Sequence, residues 1–160
     1  MAAAIPFKEG DRAPNFEAQD SNGATVSLSD FHGQWLLLYF YPRDDTPGCT
    51  REACVLRDAF EALRQHNVAI VGVSTDTRES HRKFAAKFKL PFPLLADPDR
   101  KLVHSYGVWG EKQFMGRKFM GTHRISFLID PEGRIRKIWP KVKPETHARE
   151  VLRWRQEFAA

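Results

Sequence analysis

The 160 residues suffice for one domain spanning 1–160 with a sizeable core and are too few for two. With 42% hydrophobic and 28% charged residues the composition is that of an ordinary soluble globule, and two cysteines within six positions do not make a secreted disulfide framework. The net charge of +5 admits anionic ligands, an acidic partner or nucleic acid, but the basic residues cluster only at Arg134, Arg136, Lys137, Lys141 and Lys143; these read as a solvated strand and loop, so no nucleic acid is expected.

Met1 to Gly10 lacks the apolar core of a signal peptide, and no apolar run approaches the ~20 residues of a membrane span. A reducing, cytoplasmic compartment without membrane contact is the expectation. Phe16–Asp20 and Thr25–Leu28 alternate around the turn Ser21-Asn22-Gly23, which predicts an N-terminal hairpin. Trp35 to Tyr41 is a short apolar run read as a buried strand that stops at Pro42. A helix follows from about Pro47 to His66, with Cys49, Ala53, Leu56, Phe60 and Leu63 on the face turned to the core. Cys54 falls beside Arg57, Asp58 and Glu61, nearer solvent. Val68–Ser74 reads as a second strand, buried on both faces and parallel to the first. Thr77–Phe88 is helical, Pro93–Ala96 a short strand and Lys101–Tyr106 a short helix. Trp109 to Gly121 reads as a glycine-punctuated loop, whose Trp109, Phe114, Met115, Phe119 and Met120 suggest an apolar collar. Arg124–Asp130 and Ile135–Trp139 form a closing hairpin, and a last helix runs from about Pro144 to Phe158 with Val151, Leu152 and Phe158 inward. The pattern is α/β.

The chemistry concentrates where the first strand runs into its helix. Thr46 followed by Pro47 is a helix start signal, a hydroxyl residue at the N-cap and proline at the first position. Cys49 is then the third helical residue, facing free backbone N–H groups and the positive end of the helix dipole. That environment lowers a thiol pKa from about 8.5 toward neutrality or below, making the thiolate a nucleophile. The competing reading is a buried structural thiol. Residues five apart on an ideal helix have Cα atoms roughly 8–9 Å apart and point about 140° away from each other. A disulfide needs less than about 7 Å, so Cys49 and Cys54 can be bridged only if the first turns unwind. Such a pair suits a cycle in which Cys49 becomes a sulfenic acid and Cys54 then condenses with it. A C-x4-C zinc site would need further ligands, and the six histidines are scattered. No metal is expected, and without a G-x-G-x-x-G or phosphate loop no nucleotide cofactor is either.

Pro42-x3-Thr46-x2-Cys49 resembles the active-site signature of the peroxiredoxins. With Cys54 five residues on, the chain is similar to their bacterioferritin-comigratory or Q-type branch. Gly48-Cys49-Thr50-x-Glu52-Ala53-Cys54, Gly107–Lys112 and Arg124–Phe127 carry the same likeness, over roughly residues 8 to 155. The resemblance implies a thioredoxin-like fold with an N-terminal β-hairpin extension and a central mixed sheet flanked by helices. It implies that Cys49 is the peroxidatic nucleophile and Cys54 the resolving cysteine. Pro42, Thr46, Gly48 and Arg124 line the peroxide site, with Pro42 shielding the thiolate and Arg124 polarising the O–O bond, and Glu52 supports Arg124. The substrate is a hydroperoxide, the reductant thioredoxin or a similar dithiol, and the branch is often monomeric. Two readings compete: a non-catalytic redox-sensing or holdase module using the same disulfide switch, and a thiol-disulfide exchange enzyme.

Overall fold

The computed structural model describes residues 5–158. The first four residues, part of the segment read as lacking a signal sequence, lie outside the described residues. A short hairpin comes first: β1 (Glu17–Gln19) pairs antiparallel with β2 (Thr25–Ser27), turning at Gly23, whose φ of 84° a residue with Cβ rarely adopts. The six apolar residues of β3 (Trp35–Phe40) are all buried. This is what a strand covered on both faces requires. β4 (Val68–Ser74) lies parallel to β3, with Trp35 opposite Val68 and Phe40 opposite Val73.

Between them run α1 (Pro47–Asp58) and α2 (Phe60–Gln65). The single helix expected over 47–66 is therefore broken at Ala59, with φ −95° and ψ 1°. No residue signals this break locally. It arises because α1 packs against the last helix of the chain while α2 packs against β4, so tertiary contacts override propensity.

Next come α3 (Arg78–Phe88), β5 (Leu94–Ala96) parallel to β4, and α4 (Lys101–Ser105). The Trp109–Gly121 stretch is not a loop. It forms an antiparallel ribbon of β6 (Trp109–Phe114) and β7 (Arg117–Thr122), turning at Met115 (φ 51°) and Gly116 (φ 78°). Two successive left-handed residues give the tight hairpin geometry that Asn-Gly normally advertises, and Met-Gly hides it. β8 (Ile125–Ile129) runs antiparallel to β3, and β9 (Ile135–Trp139) antiparallel to β8. α5 (His147–Phe158) closes the chain, three residues later than Pro144. Its inward residues are His147, Ala148 and Val151, whereas Phe158, expected inside, is 62% exposed.

The central sheet is mixed, in the order β5-β4-β3-β8-β9. Alternation along β3 divides the interior. Leu36, Leu38 and Phe40 meet Val71, Val73 and Phe127 beneath the N-terminal segment and α4. Leu37, Tyr39 and Tyr41 meet Cys49, Ala53, Leu56, Phe84 and Val151 beneath the other helices. Cys49 thus joins the second core. Among the described residues no helix is long and apolar enough to cross a membrane.

Candidate active site

β3 leads through Pro42–Thr46 into α1, and Thr46 does occupy the N-cap position in extended conformation. Its side chain, however, does not cap. The hydroxyl donates instead to the Arg43 carbonyl at 2.9 Å, closing the loop on itself. The first-turn amides of α1 are therefore left without that cap, and the positive end of the helix stays available to an anion.

Cys49, the third residue of α1, is 2% exposed, and Arg124 Nη2 donates to its Sγ at 3.4 Å. The other arm of the guanidinium, Nη1, donates to Glu52 Oε1 at 2.8 Å. Register explains how a residue 75 positions away arrives here. Phe40 pairs with Ile125 at the end of the β3–β8 ladder, so the residue before Ile125 emerges beside the chain leaving β3 toward α1. Gly48 leaves room for the contact, since a Cβ there would lie 3.0 Å from Arg124 Nη2.

Glu52, which as an ordinary helix residue would be exposed, is fully buried. Only one of its oxygens is bonded; Oε2 has no partner. Burial pushes its carboxyl up to about 7, and the opposing pull of Arg124 does not offset this. Burial works against the Arg124 charge too, but Cys49 and Glu52 outweigh it and raise the guanidinium above its ordinary value. The phenol of Tyr39 lies beneath the site, buried, unpartnered, and raised by desolvation and then by Glu52 and Cys49. His147 is hydrogen-bonded through Nε2 to Ser126 Oγ at 2.8 Å and is pushed down to about 4 by burial and then by Arg124.

The structure brings Cys49, Gly48, Glu52 and Arg124 together. Pro42 and Thr46 are half-buried on the loop leading into α1. Cys54 is half-buried on the solvent side of the same helix, lining an open depression with Thr46, Pro47 and Thr50, and both thiols are free.

Sequence reasoning missed Lys112. Read as a loop residue, it is half-buried in β6, donates from Nζ to the Thr122 carbonyl at 2.9 Å, and is lowered by burial and then by Arg124. It also missed Tyr39 and His147, whose apolar or helical surroundings mark them only as core. Of the expected collar, Phe114, Met115, Phe119 and Met120 are exposed, but Trp109 is half-buried with the Arg100 guanidinium 4.5 Å from its ring.

The AhpC/TSA family matches residues 9–138. The chain is 47% identical over 154 residues to Peroxiredoxin Bcp of Escherichia coli (strain K12), covering 96% of this chain and 99% of that one. A cysteine-to-serine mutant of PrxQ from Xylella fastidiosa superposes with a TM-score of 0.92 at 35% identity, over 98% of this chain and 100% of that one. The bacterioferritin comigratory protein of Xanthomonas campestris, described for its alkyl peroxide reduction activity, superposes at 0.85 with 36% identity over 91% and 92% of the two chains.

Proposed function

This chain belongs to the AhpC/TSA family and is a peroxiredoxin of the Bcp and PrxQ kind with their thioredoxin-like fold, and on that premise we propose that Cys49 is its peroxidatic nucleophile and Cys54 its resolving cysteine. The observation that carries this reading is the forked Arg124, one arm on Cys49 Sγ and the other on buried Glu52. A guanidinium held in this way is aimed at the reacting sulfur and at the oxygen that leaves.

The thiolate attacks the terminal oxygen of H2O2 or an organic hydroperoxide. The O–O bond breaks, its electron pair departs with the leaving oxygen, and a proton completes water or an alcohol. Cys49 is left as a sulfenic acid. The thiol of Cys54 attacks that sulfur, water leaves, and a disulfide joins the two. A dithiol reductant, thioredoxin or one like it, returns two electrons and two protons through a mixed disulfide. Organic hydroperoxides are included because the Xanthomonas campestris relative reduces alkyl peroxides. Pro42 and Thr46 border the peroxide, and Gly48 admits the guanidinium.

Peroxide consumption driven by thioredoxin, its reductase and a nicotinamide reductant tests this scheme. Cys49→Ser is expected to abolish consumption. Cys54→Ser is expected to consume one equivalent of peroxide per chain and then stop. Sustained turnover by Cys54→Ser would remove the resolving role, and peroxide consumption by Cys49→Ser would remove the whole scheme.

A further inference from the structure

Asp44 lies on the loop that carries Pro42 and Thr46 toward Cys49, and it is 8% exposed. One carboxylate oxygen accepts from Tyr41 Oη at 2.6 Å. The other is bonded to Ser80 Oγ at 2.8 Å and to His81 Nδ1 at 2.7 Å. The Asp44 N–H donates to Asp76 Oδ2 at 2.8 Å, an oxygen that also accepts from Ser74 Oγ at 2.6 Å. His81, fully buried in the first turns of α3, reaches the Leu95 carbonyl through Nε2 at 2.9 Å. One short loop is thereby tied to the turn after β4 and to α3, and through His81 to β5.

Asp44, Asp76 and His81 are close enough to resemble a metal site. Yet both oxygens of Asp44 and both ring nitrogens of His81 face protein partners, which makes the cluster a hydrogen-bonded clamp. None of the hydrogen bonds of Asp44 or His81 goes to Cys49, Glu52 or Arg124, so the clamp acts on the loop and not on the thiol. Directly after it, Asp45 sits at φ 54°, in the left-handed region that aspartate enters more readily than most residues with a Cβ, so the chain turns sharply between the clamp and Thr46. The clamp on Asp44 holds one side. The Lys87 ammonium, 2.9 Å from the Asp45 carboxylate, holds the other. Asp44 is thus two residues from Thr46, and its clamp fixes the chain from which Thr46 is presented.

We propose that Asp44 and His81 are positioning residues for peroxide reduction, pinning the 42–46 loop to α3 so that Pro42 and Thr46 border the Cys49 thiolate where the peroxide oxygens must sit. The proposal rests on Cys49 being the peroxidatic cysteine. It separates two properties of that thiol: its reactivity as a nucleophile, which Arg124 and the helix start control, and its advantage toward peroxide, which needs the loop in place.

Two second-order rates on the reduced full-length chain test it, one with H2O2 and one with iodoacetamide, which needs a thiolate but no oriented oxygens. Asp44→Asn is expected to slow the H2O2 reaction roughly tenfold or more while alkylation stays within about twofold. A peroxide rate within about twofold of the native protein overturns the proposal, and so does an equal fall in both rates. Should Asp44→Asn not fold, Ser80→Ala removes one donor from the half-buried edge of the clamp; it is expected to slow peroxide alone, and an unchanged peroxide rate overturns the proposal. A native protein that is itself slow with H2O2 refutes the peroxidase reading before any substitution is made.

Discussion

A methyl group on Gly48 would lie 3.0 Å from Arg124 Nη2, the same atom that reaches Cys49 Sγ. Gly48 is the second residue of α1, where alanine suits a helix better than glycine by up to about 1 kcal/mol. Gly48→Ala is therefore expected to hold or raise the unfolding temperature while lowering the peroxide rate roughly tenfold, because the guanidinium must yield a few tenths of an ångström. Thermal unfolding and stopped-flow kinetics read the two effects separately, and an unchanged rate would place Arg124 outside the reacting geometry. Residue identity alone does not show this. Thr46 and Pro47 place the helix start correctly, and the helical period puts Cys49 inside and Cys54 outward, yet the same rules give Thr46 a capping role that its bond to the Arg43 carbonyl displaces.

At the scale of elements, the proposed disulfide requires α1 to open at its start, and its packing suits that. The residues withdrawn from the core over the first two turns are small or polar: Cys49, Glu52 and Ala53. Leu56, fully buried, is the first large anchor. Unwinding as far as Cys54 forfeits little apolar burial, on the order of 1 kcal/mol per small side chain. It also hydrates Glu52 Oε2, an unpaired buried oxygen whose desolvation costs about 1–3 kcal/mol. Oxidation is expected to speed amide hydrogen exchange across residues 47–54 while the Asp44 amide, bonded to Asp76, keeps its protection. Equal exchange in both redox states would exclude the unwinding step. Element boundaries were legible wherever the apolar pattern was strong, as in β3, β4 and α3. They failed at Ala59 and in the β6–β7 ribbon, where packing and a left-handed Met115-Gly116 pair decided the geometry.

For the whole molecule, two buried titrating groups flank the site with opposite consequences for stability. Glu52 is raised from its ordinary 4.5 to about 7, so the folded state holds its proton more tightly. Its contribution is fully present below 4.5 and is lost as pH rises to about 7. His147 is lowered from 6.5 to about 4, so its contribution is present above 6.5 and is lost as pH falls to about 4. Each interval spans about 2.5 pH units, at most about 3 kcal/mol, and across their overlap the two slopes oppose each other. Glu52→Gln is expected to lose stability on acidification from pH 6.5 to 4.5, as His147 acts unopposed. His147→Gln is expected to gain stability over the same range. Urea midpoints across that range decide the matter, and parallel profiles for all three proteins would refute it.

What the chain determined by itself is what depends on its own period: apolar strings long enough for doubly covered strands, a helix that opens at Pro47, and a cysteine three residues into it with a second five residues on. Those features, with the motif they compose, pointed to the family. Only the tertiary structure decided that Arg124 reaches Cys49, that Glu52 is sealed from water with one oxygen unpaired, and that Asp44 meets His81 across 37 positions. These depend on strand register and on which helix faces become covered, and neither is written in the spacing of neighbouring residues. The ladder that sets Phe40 against Ile125 and the packing of α3 on the loop after β3 are long-range events, settled when the sheet and its helices close together.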